Sequence, residues 1–182
     1  MTAFTVIGHT EVGVSGAAEI QFTGIAGTYD HLYLVASLRT DTTGTHLWHD
    51  TYLRINSTTD ATFNSYTQLE LSGTSPVSGN STSGASIRIG RATNTDADAG
   101  FFNPLIFWIP NYAGTVGNKQ ILSSNKVIGD ASSTTYWRML ELAALHAPTT
   151  PAAITQLDLH SASGTDLFVQ YSTATLYGVT GA

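Results

Sequence analysis

Hydrophobic and polar positions alternate along much of this chain with a period of two. From His31 to Arg39, Leu32, Leu34, Ala36 and Leu38 fall on one side and His31, Tyr33, Val35, Ser37 and Arg39 on the other. That is the pattern of a strand with one face in a core. Shorter runs of the same kind occupy Phe4 to Ile7, His9 to Val14, Ala18 to Phe22, Tyr52 to Ile55, Tyr66 to Leu71 and Ala85 to Arg91. Lys119 to Ile128, Ile154 to His160 and Leu167 to Val179 complete the regular set. Segments rich in Gly, Ser, Asn and Pro separate them, and Ser72 to Pro76 and Ser78 to Gly84 read as loops. Strands at such short spacing predict an all-β sandwich of about nine to ten strands, not alternating strand and helix units.

Two segments need argument. Tyr136 to Leu145 is rich in helix formers, but its neighbours are strands at regular spacing, and that context makes it a strand. Phe101 to Pro110 is apolar on both faces. It is either a central strand covered on both sides or a strand whose outer face meets another subunit. In the second case Phe102, Ile106 and Trp108 face away from the core. Leaving such side chains in water forgoes roughly 1.5 to 3 kcal/mol each, which a marginally stable domain tolerates poorly. A homo-oligomer, a trimer for preference, is the expected remedy.

At 182 residues the chain suits one domain, 1–182. Only 11% of residues are charged, against a usual share of about 25%, and Thr, Ser, Gly and Ala fill the deficit. Seven basic against thirteen acidic residues give a net charge of −6. No basic patch can be assembled from so few cations, which excludes nucleic acid as a partner. Cysteine is absent, and with it disulfides, thiol catalysis and thiolate metal sites. Met1 to Gly8 lacks the features of a signal peptide, and no apolar run approaches the ~20 residues of a membrane span. The chain therefore reads as a soluble protein made in the cytoplasm, without a membrane partner.

Candidate chemistry is sparse. His46, His49 and Asp50 form the densest cluster of possible metal ligands, but on a strand the two histidines point to opposite faces, and zinc-motif spacing is missing. The reading is no metal site. Asp96 to Gly100 lacks the Glu that a calcium loop requires and reads as an acidic turn. Hydrolase elbows, phosphate loops and dinucleotide fingerprints are absent, so no catalytic residue and no cofactor is expected. Aromatic residues offer another reading, since Trp48, Tyr52, Tyr66, Tyr112 and Trp137 lie in or beside loops, where they suit sugar stacking or a protein interface. Trp48 and Tyr112, flanked by polar or turn residues, are the surface candidates, while Trp137 is expected in the core.

Three segments carry a resemblance: Gly24-Ile25-Ala26-Gly27-Thr28-Tyr29-Asp30-His31-Leu32, Ile109-Pro110-Asn111-Tyr112-Ala113, and Phe168 to Gly178. Together they resemble small virion proteins of tailed phages, in which a Gly-Thr-Tyr turn enters a long alternating strand and another strand ends in Ile-Pro-Asn-Tyr. The likeness spans nearly the whole chain. Similar proteins often carry an Asn-Gly-Asp turn before an Asn-Tyr-Ser segment. Here Ile55 to Asp60 and Phe63-Asn64-Ser65-Tyr66 stand instead, which puts that hairpin in doubt. The resemblance implies a jelly-roll-like antiparallel sandwich and a structural role on the virion surface. It does not fix the place, since the group includes fibre and tail-tip modules; a chain that is almost entirely one compact sandwich, without a stalk, suits a capsid decoration (cement) protein bound to the major capsid protein and to itself. A receptor- or carbohydrate-binding fibre module, with a host surface glycan as ligand, is the alternative.

Overall fold

The computed structural model describes residues 3–44, 46–58, 64–72, 75–128, 137–163 and 165–181. Among them are twelve strands and no helix: β1 (Ala3–Glu11), β2 (Glu19–Thr23), β3 (His31–Leu38), β4 (Trp48–Ile55), β5 (Asn64–Ser72), β6 (Ser75–Gly84), β7 (Ile87–Thr93), β8 (Asn103–Pro110), β9 (Lys119–Val127), β10 (Arg138–His146), β11 (Gln156–Ser161) and β12 (Thr173–Thr180). Tyr136, Phe63, the pair Thr59-Asp60 and the pair Gly73-Thr74 lie outside the described residues.

The strands build two antiparallel sheets, one of eight in the order β1-β12-β3-β8-β9-β10-β5-β6 and one of four in the order β2-β11-β4-β7. Set aside β5, β6, β9 and β10. The remaining eight strands pair first with last (β1 with β12), second with second last (β2 with β11), third with third last (β3 with β8) and fourth with fourth last (β4 with β7). This is one long hairpin rolled into two sheets, a jelly roll. The hairpins β5–β6 and β9–β10 are insertions into it. They continue the larger sheet beyond β8, ending on β6 as its edge among the described residues.

The core lies between the sheets. Leu32, Leu34, Leu105, Phe107 and Ile109 face it from the large sheet, and Ile20, Phe22, Leu53, Ile55, Leu157 and Leu159 from the small one. Where the edge strand β7 crosses over β9, polar groups do the joining. The Asn125 amide donates to the carbonyls of Arg91 (3.1 Å) and Pro104 (2.7 Å) and accepts from the Arg91 amide (2.9 Å), while the Ser123 hydroxyl donates to the Ile89 carbonyl. Asn125 is thus buried without an unpaired polar atom. Gly90 permits this approach, because a Cβ there would stand 2.8 Å from Leu105 and 3.0 Å from Asn125.

The three segments that carry the phage resemblance meet through side-chain contacts between loops and strand ends. The Tyr112 hydroxyl donates to the Ala26 carbonyl, the Tyr29 ring lies over Gly178, and the Asp30 carboxylate accepts from the Gly181 amide (2.6 Å). Tyr112 is fully buried, which corrects its expected place at a surface. Its phenol tip finds a carbonyl inside, so nothing obliges it to reach water. Burial accordingly pushes its pKa up.

Four further expectations are corrected. The Ser/Gly-rich stretch read as loop is largely β6, hydrogen-bonded to β5 along its length. The first two expected strands are one, β1, with a bulge between Val6 and Gly8. Residues 167–172 precede β12 and are not part of it: Phe168 bridges to Ala17 and Thr40, and the chain turns at Gln170 and Tyr171. Trp137, expected in the core, is 43% exposed. The segment read as strand against its helix propensity is β10, held between β9 and β5.

Candidate interaction surface

The strand registers place alternate residues of each strand on the outer face of the large sheet. One row of cross-strand partners runs Val6, Tyr177, Tyr33, Trp108, Leu122 and Ala143, and continues through Thr67 to Asn80. The adjacent row carries Val35, Ile106 and Leu69. Phe4 stands over Tyr33 and Tyr177 with ring centroids 5.6 and 6.2 Å away, and Trp108 sits 4.9 Å from His31 and 6.0 Å from Tyr33. These are edge or tilted contacts between aromatic rings, favourable in themselves, yet they leave one side of the cluster in water. Phe4 is 56% exposed, Leu122 55% and Leu69 57%. Single exposed apolar residues are ordinary, but a contiguous field of them marks a contact surface.

The field has two halves. Toward β1 it is an aromatic ridge. Toward β6 it is a trough of about 530 Å³ lined by Trp108, Leu122, Ala143, Thr67, Leu69 and Ser78, opening into a wider hollow beside Asn80 and Gln120. Across β3, β8, β9, β10, β5 and β6 the charged residues of this face are Lys126 and Glu141, paired with each other at 3.1 Å.

Of the expected interface residues, Ile106 and Trp108 lie on this face, half-buried. Phe102 precedes β8 and is half-buried there, off the strand. Trp48 lies elsewhere, at the start of β4. It is stacked on His46 at 4.8 Å, with the Arg91 and Arg138 guanidiniums 4.9 and 4.8 Å from its ring. Phe4, Tyr33, Val35, Tyr177, Leu122 and Leu69 join Ile106 and Trp108 on the apolar face. Their signal was apolar residues at the outward parity of alternating strands, as Tyr33 and Val35 are in β3.

The expected metal candidates separate. His46 stacks on Trp48. Asp50 pairs with Arg88 (2.9 Å) and Arg91 (3.2 Å). His49 turns to Ser161 and Asp166, with Nδ1 3.1 Å from the hydroxyl and 3.2 Å from the carboxylate. A nucleophilic serine needs the histidine to take its proton while the carboxylate holds the opposite ring nitrogen. Here Ser161 and Asp166 share one nitrogen, the Ser161 hydroxyl donates to Asp166 (3.0 Å), and Ser161 is buried. This trio cross-links β4 and β11 to the loop after β11; it is not arranged for acyl transfer.

The outer face of the small sheet is polar. Arg54 pairs with Glu19 (3.0 Å) and Tyr52 stacks with His160. Where β7 meets β5 and β10, Glu70 joins Arg91 (2.6 Å) and Arg138 (3.1 Å). A cleft of about 330 Å³ runs between Tyr52, Tyr66, Ser86 and His160. Burial pushes the Tyr52 phenol up, with Asp50 adding to it, and pushes His160 down.

No protein-family model matches the chain, and no curated protein matches it. Among solved structures it is similar to a chain in the structure of Turnip Yellow Mosaic Virus at 100 K, at 13% identity over 99% of this chain and 93% of that one, with a TM-score of 0.23.

Proposed function

We propose that this protein is a structural component of a bacteriophage virion, and specifically a cement protein decorating the outside of the icosahedral head. It is made in the host cytoplasm, binds the major capsid protein and itself as a homotrimer, and acts by contact without catalysis. The observation that carries this reading is the apolar outer face of the large sheet, set on a jelly roll. Jelly rolls serve capsids and lectins alike, so the fold alone does not choose between roles. The resemblance of Gly24 to Leu32, Ile109 to Ala113 and Phe168 to Gly178 to tailed-phage virion proteins favours the virion, and a compact sandwich without a stalk suits its head. Quantitative mass spectrometry of purified virions tests it. Copy numbers comparable to the major capsid protein are expected, and a handful of copies confined to the tail would overturn the head assignment.

One observation favours a second reading, a module that binds a host surface glycan. The cleft between Tyr52, Tyr66, Ser86 and His160 combines aromatic faces with hydrogen-bonding groups, as sugar sites do. Titration calorimetry against host polysaccharide, with Tyr66→Ala as control, decides it. Absence of heat removes this reading.

A further inference from the structure

The apolar face of the large sheet has a size, a charge pattern and a relief that together name its occupant. Eight strands at about 4.8 Å spacing and some 25 Å long cover roughly 1,000 Å². One partner's share of a stable interface is about 800 Å². The face is therefore large enough for a protein and far larger than a small ligand needs. Its walls in the trough are Leu122, Leu69 and Ala143, with Trp108 as the aromatic member, so the trough lacks the row of stacking platforms that a sugar chain requires.

Charge narrows the choice. The chain carries −6 overall, and two identical acidic molecules repel unless their contact surface is neutral. Lys126 and Glu141 cancel each other on this face, leaving the trough half from β3 to β6 without net charge, and on the ridge strand Glu11 lies at the far end of β1 from Phe4. A partner chosen by complementary charge would meet an unbalanced patch; a second copy needs a balanced one.

Relief narrows it further. Phe4 and Val6 stand proud at one end of the face, 56% and 57% exposed, while the trough lies at the other. Two troughs cannot fill each other, but a ridge can enter a trough. We infer that the outer face of the large sheet binds a second copy of this chain, the Phe4/Val6 ridge of one molecule seating in the Leu122/Leu69 trough of the other. Such a contact closes about a two-fold axis when each ridge enters the other's trough, and closes into a ring, a trimer among the smallest, when it repeats in one direction. The inference deepens the assembly role proposed above, yet it concerns the purified chain and is tested without a virion.

The test uses the full chain and two variants, Phe4→Asp/Val6→Asp and Leu69→Asp/Leu122→Asp. All four side chains are more than half exposed, so circular dichroism and the urea midpoint at low concentration are expected to match the parent. By light scattering at about 50 μM, where a micromolar contact is largely formed, the parent is expected to be oligomeric and each variant monomeric. Mixing the two variants restores one intact ridge and one intact trough per pair, and a heterodimer is expected. A monomeric parent overturns the second copy as occupant and assigns the face to a foreign protein. An oligomeric parent whose variants fail to recombine, or stay oligomeric alone, overturns the ridge-into-trough contact. An oligomeric chain found on the tail would leave this inference standing while removing the head assignment.

Discussion

The small sheet turns Glu19, Arg54, Asp50 and Arg88 outward, each within 3.0 Å of an opposite charge, whereas the large sheet turns outward Tyr33, Val35, Ile106, Trp108, Leu122 and Leu69. Both faces belong to the same jelly roll and share its core, so packing does not explain the difference. An antiparallel sheet ordinarily keeps one face wet and polar, and the small sheet obeys. The large sheet breaks the rule on its outer side along β1, β3 and β8, and again at Leu122 of β9 and Leu69 of β5 in the inserted hairpins that widen it. Insertions that enlarge an apolar face add surface that water does not favour. They make sense when another protein covers it.

The charges teach the complementary lesson. Three of the five arginines in the chain, Arg88, Arg91 and Arg138, gather with Asp50 and Glu70 where β7 of the small sheet meets β5 and β10 of the extension. This cluster fastens the inserted hairpins to the roll. Glu70, with its side chain 8% exposed, accepts from two arginines, while Glu141 on the apolar face is 53% exposed in its pair. Glu70→Gln is expected to cost about 2 kcal/mol, since it removes a nearly buried carboxylate charge from between two largely desolvated guanidiniums and leaves Arg91 to Asp50. Glu141→Gln is expected to cost about 0.5 kcal/mol or less, as exposed pairs do. Urea unfolding of both variants measures the contrast. Equal losses would show that the polar cluster is no more structural than a surface pair.

On the apolar face the ordering reverses between fold and assembly. Trp108→Ala removes a half-buried ring that contacts His31 and Tyr33 and borders the trough. Self-association is expected to weaken tenfold or more, about 1.4 kcal/mol, while the unfolding free energy of the isolated chain falls by less. Concentration-dependent light scattering and urea unfolding at low concentration separate the two quantities. A loss of stability without a change in association would make Trp108 a packing residue only.

Much of this contrast was legible in the chain, and the parts that were not share a cause. The alternation of β3 placed Leu32, Leu34, Ala36 and Leu38 inside and Tyr33 and Val35 outside, as found. For β8 the sequence left two readings, and the structure puts Ile106 and Trp108 on the uncovered side. β10 overrode its helix propensity because Leu140, Leu142 and Ala144 complete the inner face between β9 and β5. β6 escaped notice because its pairing to β5 is made by backbone groups, which Ser, Gly and Asn supply as well as Val does; Pro76 is tolerated there because the far side of β6 is unpaired. Tyr112 was misplaced because its partner, the Ala26 carbonyl, is 86 residues away. The arginine cluster was invisible for the same reason: its members sit on four strands that only the insertion topology brings together. Periodicity reports which way a side chain points; it does not report what stands opposite.

The smallest expected effect concerns pH, and it also separates the two regions. His146, 4% exposed on the inner side of β10, holds Asn64 through Nδ1 at 2.8 Å, and burial together with the neighbouring Lys119 keeps its pKa below the ordinary histidine value. His160, stacked on Tyr52 on the small sheet, is lowered by burial and by Arg54 despite its bond to the Ser161 carbonyl. In the unfolded chain both titrate near 6.5, so below about that pH the unfolded state binds more protons than the folded one. Stability contributed by the two neutral rings is therefore complete above pH 6.5 or so and declines as pH falls toward the depressed folded values. A urea midpoint that drops between about pH 7 and pH 5.5 is expected, the window lying above the carboxylate range. His146→Gln keeps a polar group facing Asn64 and removes the titration, so it is expected to lower stability at neutral pH and to flatten the slope below it. A variant whose midpoint falls as steeply as that of the parent would place the proton uptake at His160 and leave His146 without a part in it.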